Sequence, residues 1–279
     1  MTLSRRDFLQ VFGVTTASFI APAHIFGLQV PDSTVMGRVI NPVGRHIQPD
    51  VLSLQQDQLW ADSLIDILSV DGDWYRTDSG FVPIEAVQPI RPQVDRKTSS
   101  VGDYAQVTGA FSSVHAYCDL QSPQRARLGH GAVMRVVDRI DYPSTGTWLA
   151  LGNSAGEQLG WAQAVAWGPL ARRETRSIQA TLVRDTHTLR FGDVHTQINC
   201  PNTLLRGVYR VERVAEGQSV RTRHGNIYGV PYVFQFGDSQ QLYGVWWHNA
   251  FGATSEHIEV NVLIGAYLWA ADELFITVV

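Results

Sequence analysis

Short apolar runs, separated by Gly, Pro, Asp and Asn, dominate the chain from residue 36 onward. Runs of this length that end at turn-forming residues are typical of β-strands. The expected strands are Met36–Ile40, Leu64–Leu68, Asp73–Thr77, Gly80–Ile84, Val87–Ile90, Tyr104–Thr108, Val133–Val137, Trp148–Leu151, Gly160–Ala164, Ser177–Val183, Thr186–Phe191, Gly229–Phe236 and Asp272–Val279. Only Val262–Trp269 is convincingly helical. The pattern predicts a mainly β protein with one short helix near its C-terminus.

A weak internal repeat lies in the first half of the chain. The sequence of Trp74–Val82, with its aromatic pair, turn and Gly-aromatic ending, returns in Trp148–Ala162. Both copies resemble a bacterial SH3-type barrel, in which aromatic residues fill a small interior. The repeat predicts two SH3-like barrels, at 31–92 and 101–170, joined by the polar linker Arg91–Ser100. Such modules bind the cell wall or act as spacers, and simple packing on the next domain is the alternative.

The first residues resemble a twin-arginine export signal. Ser4–Gln10 reads S-R-R-D-F-L-Q, and Val11–Ile20 is apolar but too short for an ordinary membrane span. Ala21–Ala23 offers a small-residue cleavage site. The residues that carry the signal are Arg5, Arg6, Phe8 and Leu9. We therefore expect residues 1–30 to be a signal or anchor segment, and the protein to be extracytoplasmic and associated with the cell wall.

The net charge and the number of cysteines exclude some classes of binding partner and of disulfide-stabilised fold. The net charge is −4, and no basic run is present, which argues against nucleic acid or anionic lipid as a partner. Cys118 and Cys200 are the only cysteines, so a dense disulfide scaffold is excluded. The two either bridge one long loop or are separate buried thiols.

The segment from Tyr243 to Asn261 carries the most specific pattern in the chain. It reads Y-G-V-W-W-H-N-A-F-G-A-T-S-E-H-I-E-V-N. Without a gap, it resembles the L,D-transpeptidase (YkuD-type) signature H-G-x-x-W-H-x-x-F-G, a short spacer, then S-H-G-C-V-N. The matching residues are Gly244, Trp247, His248, Phe251, Gly252, His257, Val260 and Asn261. The resemblance implies that residues 174–279 form an L,D-transpeptidase-like β-sandwich, from a family that cross-links peptidoglycan through a cysteine.

The reactive positions of this pattern are replaced. Tyr243 stands where the family has its first His, Glu256 where it has Ser, Ile258 where it has Gly, and Glu259 where it has the nucleophilic Cys. A thiolate needs a neighbouring imidazole, and the oxyanion needs backbone N–H groups that Gly lets approach. Glutamate would have to form a mixed anhydride, which water destroys easily. The resemblance therefore predicts a domain without catalytic residues that keeps the family shape.

Two further family patterns flank this segment. Gly229–Phe236 matches G-V-P-x-V-x-x-F closely, and Thr203–Val211 matches T-P-x-G-x-Y-x-V with one extra residue. After Asn261 the family continues into a helix with a Ser cap. Val262–Trp269 lacks that Ser, so we expect a less well capped helix.

We expect the former active-site groove to bind a peptidoglycan peptide stem or a wall-synthesis protein. The predicted groove residues are Trp246, Trp247, His248, His257, Glu259 and Asn261. Two imidazoles and a carboxylate could hold a divalent ion, but such a set is more often a hydrogen-bonded cluster, so neither a metal nor a cofactor is expected. A relocated nucleophile at Cys200 is disfavoured because no His neighbours it in sequence. An active transpeptidase with an unconventional site and an adaptor that binds through its SH3-like pair stay open as alternatives.

Overall fold

The chain is described by a computed structural model, which covers residues 36–91, 99–170, 173–222 and 225–279. Its strands are β1 Met36–Val39, β2 Val43–His46, β3 Gln55–Leu59, β4 Leu64–Asp66, β5 Ser69–Asp71, β6 Trp74–Thr77, β7 Gly80–Pro83, β8 Val87–Ile90, β9 Tyr104–Val107, β10 Phe111–His115, β11 Gln124–Gly129, β12 Val133–Tyr142, β13 Gly146–Gly152, β14 Gln158–Gln163, β15 Trp167–Pro169, β16 Glu174–Val183, β17 Thr188–Phe191, β18 Val194–Gln197, β19 Gly207–Thr222, β20 Gly225–Phe236, β21 Gln240–Val245, β22 Ile258–Asn261 and β23 Ala271–Val278. Helix α1 spans Val262–Ala270, and 3-10 turns span Ile84–Ala86, Ala164–Ala166 and Arg184–Thr186. The predicted mainly β fold with one short α-helix is confirmed within these ranges.

The first half of the described chain contains two modules with the same strand order. We call strands β1–β8 the first module and strands β9–β15 the second module. The second module is a single sheet in the order β11-β10-β14-β13-β12-β9-β15. The first module follows the same path as β3-β2-β7-β6-β5 and β4-β1-β8. The long β12 of the second module corresponds to β4 and β5 together, because residues 67–68 interrupt that strand in the first module. The internal repeat seen in the sequence therefore extends to the complete strand order of the two modules.

The repeat also includes one loop of each module. In the first module the ring Nδ1 of His46 lies 3.1 Å from the carbonyl oxygen of Ser53. In the second module Nδ1 of His115 lies 3.1 Å from the carbonyl oxygen of Ser122. Each histidine closes the loop between the second and third strands of its module. No apolar period marks these loops, and neither the loops nor the strands β2, β3, β10 and β11 beside them were predicted from the sequence.

Strands β16–β23 form the C-terminal sheet, in the order β18-β17-β16-β23-β19-β20-β21-β22. The pairs β16–β23 and β21–β22 are parallel, and the other neighbours are antiparallel. Strand β19 pairs with β23 through its first residues and with β20 through its later ones, so it joins the two halves of the sheet. Helix α1 connects β22 to β23 and is buried on most of its sides, which positions β22 against the core.

The start of helix α1 corrects one expectation from the sequence. Asn261 is the N-cap, and its side-chain oxygen accepts a hydrogen bond from the backbone N–H of Leu263 at 2.9 Å. Asn is as good an N-cap as Ser. The prediction of a poorly capped helix was wrong, because the last residue of the strand supplies the cap that the following segment lacks.

The second module packs against the C-terminal sheet, and each contributes a side chain to the other's hydrophobic core. Val133 of the second module belongs to the core of the C-terminal sheet. Conversely, Trp246 belongs to the core of the second module. The hydroxyl of Tyr232 donates a buried hydrogen bond to the side chain of Gln106 at 2.5 Å. Since each core includes a residue of the other unit, the two units pack as one body around the segment after β21.

Candidate functional site

The parallel pair β21–β22 places Tyr243 directly beside Glu259. The register aligns Leu242 with Ile258 and Tyr243 with Glu259. Residues in register on neighbouring strands project to the same face of a sheet. The Tyr243 hydroxyl accordingly donates to Oε1 of Glu259 at 3.4 Å. The two positions where the resemblance has its first His and its nucleophile therefore face each other.

Asn199 and His248 hold the other oxygen of the carboxylate. Oε2 of Glu259 accepts a hydrogen bond from Nδ2 of Asn199 at 2.9 Å and lies 3.4 Å from Nε2 of His248. The backbones of Asn199 and Glu259 also exchange two hydrogen bonds, at 3.0 and 2.9 Å. Asn199 was missed by the sequence analysis, because it follows β18 in a segment without a family motif. The carboxylate is thus fixed from two sides.

Aromatic rings form a continuous series around this carboxylate. The ring centroids of Tyr243 and His257 are 5.6 Å apart, and those of Tyr243 and Trp247 are 6.3 Å apart. His248 follows Trp247 at 5.8 Å, and Phe251 lies 5.4 Å from His248. We call this set the Glu259 site. Its members are Tyr243, Trp247, His248, Phe251, His257 and Glu259.

Burial and hydrogen bonding set the protonation of the two facing residues. Burial alone would raise the pKa of Glu259, but hydrogen bonds from His248, Asn199 and Tyr243 hold that pKa below its usual value. Burial, and then the charge of Glu259, raise the pKa of Tyr243 well above its usual range. At neutral pH the site therefore contains a carboxylate that accepts hydrogen bonds and a neutral phenol that donates one.

The depressed pKa of Glu259 predicts an acid-dependent loss of stability. The unfolded-state pKa of Glu is about 4.3, so the contribution of Glu259 is present above about pH 4.3 and is lost as the pH falls through the lower native pKa. We expect Glu259→Gln to lower the free energy of unfolding by about 1.5–3 kcal/mol near neutral pH, since hydrogen bonds to a charged group are lost. The difference from wild type should shrink on acidification.

Urea unfolding of both proteins across the acid range measures this difference. Glu256→Gln is the matched control, because Glu256 is exposed on the same segment. A deficit of Glu259→Gln that stays constant or grows as the pH falls would show that the carboxylate is not stabilised in the native state.

Two predicted groove residues lie away from the carboxylate. Trp246 is only 8% exposed and packs in the core of the second module, and its carbonyl oxygen accepts a hydrogen bond from Arg38 at 3.2 Å. Asn261 is buried, and its Nδ2 donates to the side chain of Asn249 at 3.1 Å. Trp246 and Asn261 therefore pack in the interior and form no hydrogen bond with the carboxylate of Glu259. Trp246, Trp247 and His248 also follow β21 and are not part of that strand.

The other two replaced positions do not face Glu259. Ile258 is fully buried in the core of the C-terminal sheet, which follows from strand alternation next to Glu259. Glu256 is exposed before the start of β22. Of the four replaced positions, Tyr243 and Glu259 therefore face each other, Ile258 lies in the core and Glu256 lies on the surface.

The two cysteines are free thiols. Cys200 is fully buried, and its sulfur lies 3.8 Å from Nδ1 of His187, which is 13 residues earlier in the chain. Burial raises the pKa of the Cys200 thiol. The tertiary fold therefore supplies the imidazole that the sequence does not place beside Cys200, but the thiol remains protonated and enclosed. Cys118 is half-buried, so only Cys200 fits the predicted buried thiol.

The described residues contain neither a metal-binding cluster nor a membrane-spanning helix. Among these residues, no group of three or more His, Cys, Asp or Glu is arranged to hold a metal ion. No helix in the described part of the chain is long and apolar enough to cross a membrane. The predicted signal residues Arg5, Arg6, Phe8 and Leu9, and most of the predicted linker, lie outside the described residues.

No family model matches the chain, and no curated protein matches it. A solved structure that is similar in part is NlpC2 from Trichomonas vaginalis, at 10% sequence identity and a TM-score of 0.19. The alignment covers 50% of this chain and 49% of that one, so this chain spans about half of its length. A likeness this weak carries no argument about fold or function.

Proposed function

We propose that this chain is an exported, cell-wall-associated protein whose C-terminal domain resembles L,D-transpeptidases, does not catalyse cross-linking, and binds peptide stems of peptidoglycan at the Glu259 site. The observation that carries the proposal is the pairing of Tyr243 with Glu259 across two parallel strands. In the L,D-transpeptidase family, which this segment resembles, these two positions hold the first His and the nucleophilic Cys. Export rests on the twin-arginine pattern at Arg5 and Arg6.

The contacts of the pair argue against covalent catalysis. The carboxylate of Glu259 already accepts hydrogen bonds from Asn199, His248 and Tyr243, which stabilise its charge and lower its nucleophilicity. Its acyl form would be an anhydride that water hydrolyses. The phenol of Tyr243, whose pKa is raised by burial, does not act as a base at neutral pH.

The exposure of the site supports binding. The side chain of His248 is 26% exposed and that of Glu259 is 14% exposed, while Trp247, Phe251 and His257 are half-buried. Half-buried aromatic residues around a fixed polar group are common features of recognition surfaces. A site that kept its rings and lost its nucleophile is suited to hold a peptide without cleaving or joining it.

Two measurements on the purified protein test this function. Mass spectrometry after incubation with a carbapenem and with wall tetrapeptides should show no acyl adduct. Sedimentation with isolated sacculi should show binding that Trp247→Ala and His248→Ala each weaken by about tenfold, since truncation of an anchor residue costs more than about 1 kcal/mol. An adduct within residues 243–259 would instead establish an active enzyme with an unconventional site.

An adaptor that binds through its modules is the second candidate, and one observation favours it. The loop between β2 and β3 exposes four aliphatic side chains: Ile47 is 48% exposed, Val51 is 70% exposed, Leu52 is 89% exposed and Leu54 is 70% exposed. Apolar clusters on a surface often mark interaction sites. If Leu52→Ser abolishes sedimentation with sacculi while Trp247→Ala and His248→Ala leave it unchanged, binding belongs to the first module.

A further inference from the structure

Among the described residues, the carboxylate of the Glu259 site has no Lys or Arg as an ion-pair partner. Glu259 is a carboxylate, and its basic partner is His248, which carries charge only when it is protonated. When Nε2 of His248 carries the hydrogen that points to Glu259, Nδ1 of the same ring is an acceptor. That Nδ1 and the Nδ1 of His257 are buried and have no hydrogen-bond partner among the described residues. Both nitrogens are enclosed by the protein, so a ligand at this site meets the carboxylate of Glu259, and a positively charged N–H donor complements that carboxylate.

The rings of the site favour the same kind of ligand. Trp247 and Phe251 pack beside Tyr243 on the same apolar cluster and stay half-buried. The face of an aromatic ring attracts a cation, and Trp does so most strongly. A carboxylate beside such rings is the usual composition of a site for an organic ammonium group. A carboxylate ligand, by contrast, would meet the charge of Glu259.

The opposite oxygen of the carboxylate has capacity for this ligand. Oε2 is engaged by Asn199 and His248, whereas the contact from Tyr243 to Oε1 is long, at 3.4 Å. An ionised carboxylate has about four lone-pair positions. Oε1 can therefore accept a further short, charge-assisted hydrogen bond from an ammonium group.

We infer that the Glu259 site binds the primary ammonium group of a peptide side chain, with Glu259 as counter-ion and Trp247 and Phe251 as the ring faces beside it. The inference rests on the proposed function and specifies which part of a peptide stem the site selects. The replacement at position 259 then changes the chemistry of that position from covalent attack to cation recognition.

Paired soluble probes test the inference. Nα-acetyl-L-lysyl-D-alanine and its Nε-acetylated form differ only in the ammonium group, and calorimetry on the full chain measures both. The free amine should bind at least about tenfold more tightly than the acetylated form, as expected for a charged hydrogen bond. Glu259→Gln should remove this preference, and the exposed Glu256→Gln should retain it. Equal affinity for both probes, an unchanged preference in Glu259→Gln, or no binding of either probe would overturn the inference.

Sacculi separate this inference from the function on which it rests. Sacculi with chemically acetylated amines should sediment the protein less than untreated sacculi. Equal sedimentation that still depends on Trp247 and His248 contradicts the ammonium site and leaves wall binding intact. Absence of sedimentation with untreated sacculi contradicts the proposed function, and the soluble probes still decide whether the site selects an ammonium group.

Discussion

A variant that combines Tyr243→His, Glu256→Ser and Glu259→Cys is expected to gain a thiol that a carbapenem acylates, whereas the wild-type protein forms no adduct. The parallel register places an imidazole at position 243 directly beside a thiol at position 259, and His248 lies on its other side. A thiol next to an imidazole has a lowered pKa and a larger thiolate fraction. The reaction should be at least about tenfold faster than that of the single variant Glu259→Cys, because nucleophile and base act as a unit.

Ile258 is left unchanged in this variant, although the resembling family has Gly there. Its side chain is fully buried in the core. Replacing a buried Ile by Ala already lowers the free energy of unfolding by about 2–5 kcal/mol. Ile258→Gly would lower it further, so a loss of reactivity could not be separated from a loss of folding.

The native thiols provide the internal control for the acylation rate. Burial raises the pKa of both Cys118 and Cys200, so their background reaction is slow. Time-resolved mass spectrometry of digested protein assigns each adduct to its cysteine. A folded variant whose Cys at position 259 reacts no faster than Cys118 would show that the facing pair does not have the geometry of the resembling active site.

Arg38→Ala is expected to cause a large loss of stability, about 3 kcal/mol, because it removes one of the two arginines that neutralise the buried Asp62 and leaves the buried side chain of Gln88 without its donor. Arg38 is 5% exposed, and its guanidinium contacts Asp62 at 2.6 Å and the side chain of Gln88 at 2.9 Å. It also donates to the carbonyl oxygen of Trp246, one residue before Trp247. The substitution should therefore also weaken ligand binding at the Glu259 site.

Arg139→Ala is the matched control for this prediction. Arg139 pairs with Asp141 on the surface of the second module, where an ion pair contributes about 0–1 kcal/mol. Urea unfolding of the two variants compares the costs directly. A cost for Arg38→Ala no larger than that for Arg139→Ala would show that the first module does not stabilise the segment after β21.

Most of the longer apolar strands were predicted from the sequence, whereas several short strands, such as Phe111–His115 and Val194–Gln197, and the polar strands were not. Of these polar strands, Gln55–Leu59 (β3) has four exposed polar residues out of five, and half of the residues of Gln124–Gly129 (β11) are exposed. Both lie at the end of a sheet in their module. A strand at the end of a sheet that buries only one or two residues has no apolar alternation along its length, so its sequence carries no period to detect.

The facing pair of the candidate site followed from motif spacing, but its supporting contacts did not. Tyr243 and Glu259 were identified from an ungapped pattern, whereas Asn199 reaches Glu259 from 60 residues away. The predicted groove residue Trp246 packs into the second module, because the chain leaves β21 just before it. Contacts between residues that are distant in sequence depend on the order of strands in the sheet, and the local pattern of apolar and polar residues does not specify that order.

The indole N–H signals of the eight tryptophans offer the most direct test of where a wall peptide binds. The first module contains Trp60 and Trp74, the C-terminal part of the chain contains Trp246, Trp247 and Trp269, and the second module contains the remaining three. NMR titration of the labelled protein with a soluble stem tetrapeptide is the measurement, and Trp247→Phe assigns the decisive signal. We predict a shift of the Trp247 signal with the Trp60 and Trp74 signals unchanged. Shifts confined to tryptophans of the two modules, or no shift at Trp247, would contradict binding at the Glu259 site.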